Sequence, residues 1–525
     1  MSHGNHHASD HTVCSCCSGG LKAALAAAVS RRDFMLGMGT AAAAGTLGAA
    51  GRATAAAADA PSTRPTIAPA SELVVQPVLT YAIPKRREQT SWRPWGGIQT
   101  PAQAAEEAQR IEKELRELVA SSGLALRILP LAQVQSVAEA AQVRAAGCDA
   151  VLVYASGGGR DVLEALVSLD RANLFFLRHD SGPVSLWYEI MHPHMLRKAS
   201  DQYRQPGVGV EDVVVDSYPE LAWRLRALLA LRRTLGQRVV AIGGAGGWGD
   251  GHRLAPPFAR EKWQLDIREV SYPEVGKRIQ ALRKDSAAVA RAQSEADAYL
   301  RQPGIRLQTE RKYVENAFLL RDVFKGLMQE HSCRMMTIQH CMGTIMPLAE
   351  TTACLPLSLL NDDGYLAFCE SDFVVIPAGI LMHHILGTPV FMNDPTWPHN
   401  GVVTIAHCTA PRKMDGKTYE PATILTHFES DYGAAPKVEM RIGQVMTNVI
   451  PDFASKKWIG FKGKVLANPF LDICRSQTDV SVEGDCDHLV EDMRGFHWIS
   501  AYGDCLKEVG YAIKRLGIEW ENISA

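Results

Sequence analysis

The chain has 525 residues, with 55 Lys and Arg against 57 Asp and Glu, a formal net charge of −2 and a pI of about 6.8. A charge so balanced, without a basic run, gives no footing for nucleic-acid binding. The length exceeds what one hydrophobic core usually holds, so two or three domains are expected.

Residues 1–30 are polar and carry His3, His6, His7, His11, Cys14, Cys16 and Cys17, followed by Ser30-Arg31-Arg32-Asp33-Phe34-Met35. Paired arginines, a phenylalanine two places on and an Ala/Gly-rich stretch to about residue 58 fit a twin-arginine export signal. That stretch is too weakly apolar and too broken for a membrane span. Residues 1–58 therefore read as a leader, handed to the twin-arginine translocation machinery and removed, with an uncleaved anchor as the alternative. The expected location is the periplasm, reached already folded. The Cys/His cluster in the leader reads as a variable extension rather than a metal site. Of 12 Cys, three lie in the leader, and the remaining nine, an odd number, cannot all pair. They read mostly as buried thiols, and their spacings show no paired CxxC zinc pattern. Residues 59–70 are a Pro/Ala/Thr-rich linker.

The first α/β domain is expected over residues 71–200. ELVVQPVLTYAI reads as a strand, 103–121 as an amphipathic helix, LALRILPL as a strand, 134–146 as a helix and DAVLVYA as a buried strand. This is a flavodoxin-like alternation. Gly157-Gly158-Gly159 reads as a close strand-to-helix turn rather than an anion cradle. Trp92 and Trp95 fall in a loop, where they suit either a contact surface or domain packing.

A second α/β domain, Rossmann-like, is expected over 201–345, with a helix at 218–235, strands RVVAIGG and LDIREVSY, and a long helix at 274–299. Gly244-Ala245-Gly246-Gly247-Trp248-Gly249 matches GxGxxG directly after a strand. A dinucleotide motif must open a helix, yet Asp250-Gly251-His252 and Pro256-Pro257 follow, and Trp248 crowds the approach. A nicotinamide-dependent oxidoreductase is thus the lesser alternative.

The third region, 346–525, carries the chemistry. A long helix at 311–330 and the strand-loop RMMTIQHCMGTI lead into it, with Gln339 and His340 near the strand end. Strand 365–369, an apolar helix at 372–386 begun by Ser371 or Asp372, and strand 388–392 read as a βαβ unit with parallel neighbouring strands. Glu370 and Asp394 then sit past two strand ends on the edge where open α/β sheets bind ligands. Two such acids need a shared proton or a cation; alternatively Glu370 and Asp372 only cap a helix and Asp394 only starts an Asp-Pro turn. His407 ends strand VVTIAH and can line the same pocket. Residues 421–490 suggest a small β-barrel or sandwich, closed by FHWISAYG, which opens beside His497.

Several runs resemble the L-fucose isomerase family, relatives of L-arabinose isomerase: NDDGYLAFCESD, HHILGTPVFMND, VVTIAHCTAP, SWRPWGGIQT, CRSQTDVSVEG and GFHWISAYGDCLKEVGYAIKRLGIE. The resemblance implies two flavodoxin/Rossmann-like parallel-sheet domains and a C-terminal α/β domain with a small β-barrel. It also implies metal ligands at Glu370, Asp394 and His497, with Glu370 and Asp394 as the acid–base pair. Trp92, Trp95, Gln339 and His407 are expected around the substrate. Mn²⁺ is the implied ion, with Mg²⁺, Co²⁺ or Fe²⁺ as alternatives. The expected activity is aldose–ketose isomerisation of an open-chain sugar through an enediolate, in a homo-oligomer. A sugar-binding protein without turnover is the alternative from another class.

Overall fold

The computed structural model describes residues 72–93, 97–186, 207–249 and 251–525. The expected leader, the linker and Trp95 lie outside the described residues. Residues 66–525 cluster as one unit, built from two parallel sheets, a closed antiparallel barrel and a small three-stranded sheet.

The first sheet uses β1 (Leu73–Tyr81), β2 (Leu126–Ile128), β3 (Ala132–Val134), β4 (Ala150–Ser156), β5 (Ala172–Leu177) and β6 (Val213–Val215), all parallel to their neighbours. β1 and β4 are buried throughout, as continuous apolar runs in a covered parallel sheet must be. The helix Pro101–Ser122 begins with a capping box between Thr100 and Gln103 and stops at Gly123, whose φ is 66°. Gly158 has φ +109°, and a Cβ added there would stand 3.4 Å from the Thr80 side chain, so the triple glycine serves a tight turn.

The second sheet contains β7 (Arg238–Ile242) and β8 (Asp266–Val270), while β9 (Ile305–Leu307) leaves to join the three-stranded sheet. β10 (Met335–Ile338) and β11 (Leu366–Cys369) complete the order β11-β10-β7-β8, again parallel. This sheet runs across residue 345, the boundary expected between domains. The helix expected at 274–299 is two helices, Tyr272–Lys284 and Ser286–Leu300. Asp285 divides them, and its carboxylate caps the second through Ala287 and Ala288.

The expected βαβ unit is not formed. β12 (Phe391–Pro395) leaves the second sheet and enters the barrel with β13 (Val402–His407). The remaining strands are β14 (Ala422–His427) and β15 (Tyr432–Val438), which pair with β9, and β16 (Val445–Pro451), β17 (Lys457–Ala467), β18 (Ser476–Ser481), β19 (Trp498–Tyr502) and β20 (Glu519–Asn522). The antiparallel ring runs β12-β13-β18-β17-β16-β19 and closes by β19 against β12, with β20 added parallel to β17. A short buried strand reads alike in a parallel sheet and in a barrel, so the run Phe391–Asp394 does not disclose its partner. Asp394 consequently lies inside β12, opposite Ala406, rather than past a strand end.

The helix between β11 and β12 also starts later than expected, at Ile376. Glu370 and Ser371 take left-handed φ values of 59° and 47°, which no helix start accommodates. Gly379 in this helix lies so close to β11 that an added Cβ would meet Phe368 at 2.5 Å. The helix is thereby pressed onto the second sheet, and Ile499 of the barrel approaches the same point at 3.5 Å.

Candidate metal centre

Because β7, β10 and β11 are parallel, the segments after Ile242, Ile338 and Cys369 emerge on one edge of the second sheet. Glu370 is the first residue beyond β11. The glycine-rich loop after β7 is fastened to this turn, with Gly246 N–H donating to Ser371 O at 3.2 Å and Phe373 N–H to Gly246 O at 3.1 Å. It also brings Trp248 over the site. The indole N–H donates to Glu370 Oε2 at 2.9 Å, and the ring stacks on Phe496 at 4.1 Å with 13° between planes. A helix, Gly251–Glu261, follows this loop with both prolines inside it, so the sequence argument that no helix follows does not hold. The loop's backbone is engaged with Ser371 and Phe373, which leaves it serving as a brace for Glu370.

Asp394 and His497 arrive from the barrel, the first from β12 and the second from the residue before β19. His497 is fully buried, and its Nε2 lies 3.5 Å from Glu370 Oε2 and 3.3 Å from Asp394 Oδ1. Its Nδ1 is 2.8 Å from Asp372 Oδ2. A carboxylate only accepts, so Nδ1–H donates to Asp372, and the Nε2 lone pair of a neutral ring is left facing the two acids. Burial opposes a charge on this imidazole, but Asp394, Asp372 and Glu370 outweigh it and raise the pKa to about 10. In the cation-free chain a proton therefore sits where a divalent ion has its strongest claim. Glu370 and Asp394 keep about a fifth of their side-chain surface exposed, at 20% and 22%, so the cluster opens on one side.

His407 holds the opposite tautomer. Its Nδ1 accepts from Cys408 N–H at 3.0 Å and lies 3.0 Å from Thr409 Oγ1, so Nε2 carries the proton and points toward Glu370 Oε1, 3.9 Å away. The donor atoms of Asp394, His407 and His497 all lie within 4.8 Å of one another. This tautomer turns Nε2–H, not a lone pair, toward the centre, so His407 faces it as an N–H group and not as a ligand. Two carboxylates and one imidazole with an open side suit a divalent ion with a preference for oxygen.

The structure thus brings Glu370, Asp394, His497 and His407 together. Gln339 follows β10 on the same edge, and its side chain fills the space beside Gly246, where an added Cβ would meet Nε2 at 2.6 Å. Trp92 is half-buried after β1, with the Arg93 guanidinium 4.8 Å above its ring, and shares none of the contacts just described. A surface cleft lined by Gly97, Ile98, Glu107, Arg110, Gly182 and Pro183 likewise contains none of the cluster residues. Sequence reasoning missed Asp372 as the partner of His497 and Trp248 as the partner of Glu370. The first was read as a helix cap, and indeed its Oδ1 accepts from Val374 N–H at 3.0 Å; the second was read only as bulk. Among the described residues, no helix is long and apolar enough to cross a membrane. No protein-family model matches this chain, and no curated protein matches it.

Proposed function

We propose that the protein is a metal-dependent aldose–ketose isomerase of the L-fucose isomerase kind, exported folded to the periplasm and assembled as a homo-oligomer. What carries the reading is that Glu370, Asp394 and His497, distant in the sequence and singled out there, meet around one point with the histidine in its ligand tautomer. A divalent cation held there, Mn²⁺ first and Mg²⁺, Co²⁺ or Fe²⁺ as alternatives, supplies Lewis acidity to the carbonyl and hydroxyl oxygens of an open-chain sugar.

The chain's own residues do the rest. One of the Glu370 and Asp394 carboxylates takes the proton from C2 of the aldose. The other, or the same one, returns a proton at C1 as the O2 hydroxyl proton passes to O1, giving the ketose. Trp248 N–H fixes the rotamer of Glu370, and His407 Nε2–H donates toward the oxygen that gains negative charge. The Trp248–Phe496 stack gives an apolar wall against which the C–H face of a sugar packs and water is kept out.

The test is incubation of the Mn²⁺-loaded protein with a panel of aldoses and ketoses. Interconversion that Glu370→Gln abolishes is expected; no turnover of any sugar, with binding but no exchange at C2 in D₂O, would replace this reading by a sugar-binding protein.

A further inference from the structure

A second cluster of metal-binding side chains lies outside this centre. Cys354 opens the helix Cys354–Asp362, Cys408 follows β13, His427 ends β14, and Cys474 stands in the loop before β18. Cys354, Cys408 and His427 are 3%, 2% and 7% exposed, and their ligand atoms lie within 4.8 Å of one another. Cys474 packs against the same group, and its thiol meets that of Cys408.

The segments are also tied to one another by bonds beyond the thiols and the imidazole. Ser358 Oγ–H donates to Ala410 O at 2.7 Å, tying the helix to the chain beyond Cys408. Arg475 donates from Nε to Thr426 O at 2.7 Å, drawing the Cys474 loop against the strand end that carries His427. The backbone N–H of Arg475 also points at Cys408 Sγ, 3.4 Å away, the kind of outer bond that supports a thiolate ligand. Two buried sulfurs, a buried imidazole nitrogen and the half-buried sulfur of Cys474, from four separate segments, are thus gathered in a place that the isomerase chemistry does not use.

We propose that Cys354, Cys408, Cys474 and His427 form a structural site for a soft divalent ion, Zn²⁺ in the first place. Such ions take four tetrahedral S and N ligands with bonds of about 2.3 Å to sulfur, so the ligand atoms stand about 3.8 Å apart. The atoms of Cys354, Cys408 and His427, all within 4.8 Å of one another, reach that arrangement by closing about 1 Å or less per pair, and the Cys474 thiol, which already meets that of Cys408, completes the set. Binding releases the three Sγ–H protons to solvent and leaves three thiolates and a neutral imidazole on the ion. The closed ligand set gives it no open position, and its sulfur donors separate it from the oxygen-rich centre at Glu370. The ion would join the second sheet's helix layer, the barrel and the three-stranded sheet at one point. Because Cys408 N–H also donates to His407, that point lies one residue from the centre above.

The test uses the full chain. Metal analysis after extensive dialysis is expected to find about one zinc per chain, unchanged in Glu370→Gln and lost in Cys408→Ser. Cobalt substitution of the unmutated protein is expected to give the intense thiolate-to-cobalt charge-transfer absorption that an oxygen and imidazole site does not produce, which needs no variant to fold. A cobalt spectrum without thiolate bands would overturn the proposal. So would non-reducing mass mapping that finds Cys408 joined to Cys354 or Cys474 in a disulfide.

Discussion

Asp372 decides what His497 is able to be. Its carboxylate takes Nδ1–H and so leaves Nε2 with a lone pair aimed at Glu370 and Asp394. An amide at the same place reverses the bond, because its NH₂ donates to Nδ1 and moves the ring proton to Nε2. Asp372→Asn is therefore expected to lower Mn²⁺ affinity by about 10–100-fold with little change in fold, measured by calorimetric titration; unchanged affinity would remove Asp372 from its role. Trp248→Phe keeps the stack on Phe496 and deletes one hydrogen bond to Glu370, worth about 1 kcal/mol. A fall in kcat of about 5-fold is expected, with KM nearly unmoved. Of these residues, Glu370 and Asp394 were legible as acids beside apolar strands. Asp372 was not, because an acid directly before an apolar run carries the same letter whether it caps a helix or orients a histidine 125 positions away.

At the scale of elements, close approaches at two glycines set the geometry. The helix Ile376–Leu386 reaches β11 only because Gly379 has no side chain, and Phe368, at 2% exposure, has nowhere to turn. Gly379→Ala favours the helix itself but drives it from the sheet, so a net loss of about 1–3 kcal/mol is expected in chemical unfolding. In β17, a Cβ on Gly463 would stand 1.8 Å from Ser481 O, so Gly463→Ala is expected to disturb the β17–β18 edge and lower the unfolding midpoint more than Gly379→Ala does. These elements also mark how far pattern reading goes. The strands and the apolar helix announce themselves through runs of buried residues. The partner of β12 does not, since β11 and β19 offer equally apolar company. Nor did GxGxxG reveal its work: glycine permits close backbone approach to a phosphate or to another loop, and here the neighbour is Ser371–Phe373.

At the scale of the whole molecule, one ligand of the candidate centre comes from the second sheet and two from the barrel, so a bound ion joins the two layers. Saturating Mn²⁺, at about 100 times its dissociation constant, is expected to add about 2.7 kcal/mol to stability, and a chelator to remove it, read as a shift in thermal midpoint. Without the ion, His497 has a folded pKa of about 10, against about 6.5 in an unfolded chain. A raised pKa stabilises fully below the unfolded value, and the contribution is lost as pH rises from about 6.5 through about 10, an upper bound on the order of 5 kcal/mol. Mn²⁺ must displace that proton, so its apparent affinity is expected to climb about tenfold per pH unit across this window. A flat affinity profile would show that the imidazole is not a ligand.

β19 carries one more consequence. It closes the barrel between β12 and β16, and His497 stands at its start, 497 − 394 = 103 positions after Asp394. While a ribosome is still making the protein, Glu370 and Asp394 have long emerged but their third companion has not. The nascent polypeptide thus offers two carboxylates without the imidazole of His497, and a tight grip on the ion must wait until β19 has been made.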